Sequence, residues 1–307
     1  MTDQWNEGAP SARSRTEADL MQVIPNLRLD YVDAEWARGV LAVFEQDRAD
    51  ILDDAEASPR QLSQIEYVML AEDCQAIGML KYGLGYPLSE TRAAFAEAAK
   101  ANLRVFELRG TQAAFEVTVA GGEEAKPLRE PGATDDSLTN SRRGLYSMYV
   151  ALIAGNATIA REIAVHVWDP PNATYIGPES EVCTLDDQQL AYAVKALLMG
   201  KKKEALSYLR IRRSTSSSAQ VQAELIETLI TNRKPEFIAQ LNDLLDWHRQ
   251  QSASVENRKN IDLFFSIPGL ALCSLALGCG LAQRSELPEH EVFLPLNFLN
   301  DDAVDMP

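Results

Sequence analysis

The chain has 307 residues, enough for one large domain or two small ones, and with 46% apolar residues it can bury a substantial core. Its formal net charge of −16 argues against a nucleic-acid or anionic-membrane binder, since both require positive potential. An acidic surface suits a basic partner, or solubility alone.

Residues 1–28 mix Gly, Pro, Ser and charge and read as a mobile lead-in without the apolar core of a secretory signal. Asp33 can cap a first helix that runs to about Glu56. Trp36, Val40, Val43, Phe44 and Ile51 fall on one face of a 3.6-residue period, which predicts that this face is buried. The other face carries Glu45, Asp47, Asp50, Asp53 and Asp54. Over residues 30–56 there are nine acids against Arg38 and Arg48, a local charge of −7. Like charges packed this closely cost stability, so something should offset them.

Ser58 and Pro59 form a helix start, a capping hydroxyl followed by proline. The helix they predict places Leu62, Ile65, Met69, Ala76 and Leu80 inward and stops at Gly83 and Gly85. A third helix opens at Pro87 and runs to Gly110 through an alanine-rich stretch. Residues 113–120 (AAFEVTVA) alternate like a strand, and a Gly- and Pro-containing loop follows. Helices resume at Ser141.

Two helix–Gly–helix units then follow. Tyr149, Ala151 and Leu152 precede Gly155, with Ala160 after it; Val194, Ala196 and Leu197 precede Gly200, with Ala205 after it. This is the pattern of tetratricopeptide-like hairpins, in two copies only. Thr184 with Asp187 predicts a capped start for the second unit. Residues 221–231 form a further helix, stopped by Asn232 and restarted at Pro235, after which Phe237, Leu241, Leu244, Leu245 and His248 make the strongest helical stripe in the chain. Residues 264–281 hold no charge at all. A span needs about 20 apolar residues, whereas Pro268 and the glycines Gly278 and Gly280 confine this helix to about thirteen, roughly 20 Å. It therefore reads as a core helix, with Ala271, Ser274 and Ala276 small enough for close neighbours. The apolar segment 293–299 is expected to dock on that core, ahead of an acidic tail at 301–307.

Little catalytic chemistry is written in these residues. There are three histidines: His248 on a buried stripe, His166 at a helix end beside Trp168, and His290 among acids. No zinc spacing, G-x-S-x-G elbow, phosphate loop or dinucleotide fingerprint occurs. Cys74, Cys183, Cys273 and Cys279 form no C-x-x-C pair and read as free thiols of a reducing compartment, hence a cytoplasmic protein. The lysines at 201–203 read as a solvated turn, and Asn156 and Asn172 open N-x-T patterns without meaning there. The expectation is a non-enzyme without catalytic residues, cofactor or metal.

The order of features resembles the immunity protein 49 family, antidotes of bacterial polymorphic-toxin systems. The likeness spans roughly 58–300. It begins with SPRQLSQIEYVMLAEDCQAIGMLKYGL (58–84), followed by GLYSMYVALIAGNATIAREIA (144–164), LAYAVKALLMGKKKEALSYL (190–209) and EFIAQLNDLLDWHRQ (236–250). It ends on IPGLALCSLALGCGL and FLPLNFL. The resemblance implies an all-α domain, over residues 29–300, that binds and neutralises a cognate toxin of the same cell. It agrees with a multi-helix bundle of stacked antiparallel hairpins around the buried C-terminal helix, with at most a small β-hairpin insertion. The acidic residues Asp47, Asp50, Asp53 and Asp54 are candidates for the surface facing a basic toxin, such as a nuclease domain. The alternative is a helical-repeat scaffold for protein–protein interaction. A third reading, an enzyme, would need a cavity lined by His166 or His248 with carboxylates. A homo-oligomer is left open.

Overall fold

The computed structural model describes residues 33–57, 62–109, 136–167, 183–211, 217–253, 257, 259–288 and 293–299. These residues form ten α-helices and short 3-10 turns, and no strand occurs among them. The helices are α1 (Ala34–Ala57), α2 (Gln64–Gly83), α3 (Leu88–Glu107), α4 (Ser141–Ile153) and α5 (Ala157–His166). They continue with α6 (Leu185–Leu198), α7 (Lys202–Ile211), α8 (Ser217–Ile230), α9 (Lys234–Ser252) and α10 (Ile267–Gly278). The strand expected at 113–120, the lead-in 1–28 and the tail 301–307 lie outside the described residues.

Consecutive helices pair as hairpins, α2 with α3, α4 with α5, α6 with α7 and α8 with α9. One turn device closes all four, and it also ends α10. The chain enters the left-handed region at Gly85, Gly155, Gly200, Asn232 and Gly280. The next N–H then reaches back to a carbonyl in the last helical turn, in the bonds Tyr86 to Lys81, Asn156 to Ala151, Lys201 to Ala196, Arg233 to Thr228 and Leu281 to Ala276. These bonds satisfy carbonyls that a helix end leaves open. The α8–α9 turn makes a third unit after the two read from the sequence. It escapes a search for glycine because asparagine takes the positive φ of 58° there. Successive hairpins stack, α4 against α6 and α6 against α8.

The uncharged helix α10 is buried on every side and packs against α4, α8 and α9. Ser266 caps it by accepting the Gly269 N–H at 3.1 Å, and Ser274 donates to the Leu152 carbonyl of α4 at 3.2 Å. Beside it, Tyr82, Phe95, Phe265 and Phe298 form a cluster of rings with centroids 5.2–6.2 Å apart. The cluster joins α2, α3, the entry to α10 and the segment 293–299. Arg92 secures that segment by donating to the carbonyls of Asn297 and Phe298 at 2.6 and 2.9 Å, and Arg284 donates to Leu299.

Two expected faces are rotated. On α1, Val43 is 56% exposed, and Ala37 and Leu41 are the fully buried positions, with Trp36, Val40 and Phe44 half-buried. On α2, Leu62 and Leu80 are buried as expected, but Ile65 and Met69 are each 47% exposed. Val68, Ala71 and Cys74 take the inward places because α2 is held by α3 on one side and α1 on the other. The cap also moves: Ser63, not Ser58, starts α2, since Ser63 and Glu66 complete a reciprocal capping box.

Candidate partner-binding surface

The acidic face belongs to α1. Asp33 opens the helix by accepting the Trp36 N–H at 3.1 Å. From there the 3.6-residue period carries Ala37 and Leu41 inward and turns Glu35, Gly39, Ala42, Val43, Gln46, Asp50 and Asp53 outward. Asp47 is exposed at the edge of this stripe. Asp47, Asp50 and Asp53 thus share the solvent side, while the side chain of Asp54 lies outside the described residues.

Two cations beside this face, Arg48 and Lys81, are engaged in ion pairs. Arg48 pairs with Glu97 of α3 at 2.7 Å, and Lys81 of α2 bridges Glu45 and Glu90 at 3.0 and 3.4 Å. These pairs fasten α1 to the bundle and offset part of its charge. Among the described residues, none of Asp47, Asp50 and Asp53 takes part in an ion pair; Asp50 accepts one hydrogen bond, from Gln46 at 2.7 Å. The exposed Val43 lies on the same side of the helix.

One carboxylate behind this face was not singled out by sequence. Asp73 of α2 is only 8% exposed, and its Oδ2 has no hydrogen-bond partner among the described residues. Burial, then the carboxylates Asp47 of α1 and Glu72 beside it, push its pKa up to about 6. Glu72 is itself paired with Arg143 at 2.6 Å. Next to Asp73, the Cys74 thiol donates to Glu97 and is pushed up to about 12, chiefly by burial. The helical period did not mark it, since Met69, four residues earlier on the same row, is exposed.

The other candidate residues are not brought together. His248 is buried on α9, its Nε2–H donating to the Leu263 carbonyl at 3.0 Å while the ring rests 5.0 Å from Phe293. His166 ends α5, with its carbonyl accepting from Arg109 at 3.1 Å. His290 and Trp168 lie outside the described residues. Cys74, Cys183 and Cys273 are buried thiols, Cys279 is half-buried, and no described pair is bonded. Among the described residues no three metal-ligating side chains could hold one ion, and no helix is long and apolar enough to cross a membrane. No family model, curated protein or solved structure matches the chain.

Proposed function

We propose that the protein is a cytoplasmic immunity protein that binds and neutralises a cognate bacterial polymorphic toxin without catalysis, with the outer face of α1 as part of the contact. The observation that carries this reading is the row of exposed aspartates Asp47, Asp50 and Asp53, unpaired among the described residues, on a chain of net charge −16. Such a face accelerates encounter with a basic partner and selects against acidic ones. The resemblance of 58–300 to the immunity protein 49 family supplies the partner class. Co-expression with the toxin gene adjacent to this one tests the reading: growth should be rescued and the two proteins should co-purify. Changing Asp47, Asp50, Asp53 and Asp54 together to Asn should slow association about 10-fold at low salt and flatten its salt dependence. An unchanged on-rate removes this face from the contact.

A second reading, a helical-repeat scaffold that holds peptides, is favoured by the turn geometry shared at Gly155, Gly200 and Asn232. Three stacked units are the least that such an array requires. Absence of both rescue and complex would move the search to peptide ligands.

A further inference from the structure

Helix α2 turns two large apolar side chains to solvent. Ile65 and Met69 are each 47% exposed, and among the described residues they are the only exposed large apolar pair one helical turn apart. The other side of α2 is given to α3, with Gly78 against the Phe95 ring and the Gln64 side chain donating to the Val105 carbonyl at 2.9 Å. The exposed row continues to Glu72, which meets Arg143 of α4 at 2.6 Å. One turn beyond Arg143, Tyr146 is again 37% exposed. Ile65, Met69 and Tyr146 therefore flank one interhelical ion pair whose two charges already satisfy each other.

The acidic stripe of α1 ends beside this row. The link from Ala57 to Gln64 is too short to run back along α2, so the two helices are antiparallel, and the Glu45–Lys81 pair at 3.0 Å fixes their register. At about 1.5 Å per residue, Asp53, eight residues after Glu45, comes level with the position eight before Lys81, one turn from Met69. Exposed apolar side chains at the rim of an acidic face suit a partner that is basic around an apolar projection. The charges steer the encounter, and the apolar contact, once dry, holds it. A second copy fits poorly, because like faces would meet and each chain carries a charge of −16.

We propose that Ile65 and Met69 of α2, with Tyr146 of α4, are the apolar anchor of the toxin contact, and that their occupant is an apolar side chain standing on a basic surface of the toxin. This rests on the immunity reading above and gives its two surfaces separate roles: the aspartates of α1 govern association, and the α2 row governs dissociation. Truncating both anchors, Ile65→Ser with Met69→Ser, should raise the dissociation rate constant at least about 10-fold and change association by less than about 2-fold. Val165→Ser removes an exposed apolar side chain from α5 and should change neither.

Surface plasmon resonance of the full chain against the purified product of the adjacent toxin gene measures both rate constants, with circular dichroism to establish that each variant is folded. Peroxide footprinting of the unmodified chain needs no variant. Met69 should oxidise at least about 5-fold more slowly in the complex than alone, whereas Met199, exposed just past the end of α6, should keep its rate. A complex in which Met69 oxidises as fast as in the free chain, or whose dissociation is unchanged in the double variant, overturns the anchor and leaves the immunity reading standing. Absence of any complex overturns both. A dimer of this chain that is lost in the double variant would assign the row to a second copy and would also overturn the proposal.

Discussion

A buried carboxylate makes stability depend on pH with a sign that its surroundings set. Burial first, then the carboxylates Asp47 and Glu72, raise the pKa of Asp73 from 3.8 to about 6. The folded chain therefore holds this proton more tightly than the unfolded chain. The resulting stabilisation is full below 3.8 and is lost as pH rises through about 6. Asp73→Asn is expected to increase the unfolding free energy by about 1–3 kcal/mol at pH 7.5 and to leave it unchanged at pH 4. Urea titrations at the two pH values check this; an equal effect at both would assign the change to packing instead of charge. The opposite design holds at His248, where a polar ring on an apolar stripe finds the Leu263 carbonyl at 3.0 Å and is thereby accommodated. Sequence placed His248 on a buried stripe and did not single out Asp73, and only the structure separates the partnered group from the unpartnered one.

Helix faces are decided by neighbours as well as by period, and two glycines show it. Gly39 lies on the outward side of α1, and an added Cβ there would meet nothing within 4 Å. Gly78 of α2 lies against α3, where an added Cβ would come within 2.5 Å of the Phe95 ring. The same substitution should thus act in opposite directions. Gly39→Ala is expected to stabilise by about 1 kcal/mol through helix propensity, and Gly78→Ala to destabilise by about 1–3 kcal/mol through overpacking. Thermal unfolding of the two variants side by side reads both signs, and a common sign would contradict the placement of α1. The existence and order of the helices were legible in the sequence, because caps, glycine stops and the uncharged run at 264–281 are local signals. The rotation of α1 and α2 was not, because a period locates an apolar stripe without naming which helix covers it. Val43, Ile65 and Met69 were read as inward on period alone, yet α1, α2 and α3 meet along other rows. For the same reason the acidic character of α1 could be read from composition, whereas the exposure of Asp47, Asp50 and Asp53 needed the packing.

At the scale of the molecule, the described segment nearest the C-terminus completes a core begun more than two hundred residues earlier. Arg92 of α3 donates to carbonyls 205 and 206 residues further along the chain. Phe298 enters the ring cluster with Tyr82, Phe95 and Phe265, and the Ser266 N–H ahead of α10 donates to the Phe293 carbonyl at 2.8 Å. The segment therefore ties the α2–α3 hairpin to α10, so its loss should be felt by both. Phe298→Ala removes a fully buried ring from that junction and is expected to cost about 3–5 kcal/mol. Arg92→Met keeps much of the side chain's bulk but withdraws the donors from the carbonyls, and should cost about 1–2 kcal/mol. Denaturant unfolding followed by both tryptophan fluorescence and far-ultraviolet circular dichroism measures the two effects. The probes should coincide in each variant, since the segment belongs to the shared core. If Phe298→Ala instead cost less than about 1 kcal/mol, or if its two transitions separated, the segment would be an appendage and α10 would owe its burial to α4, α8 and α9 alone.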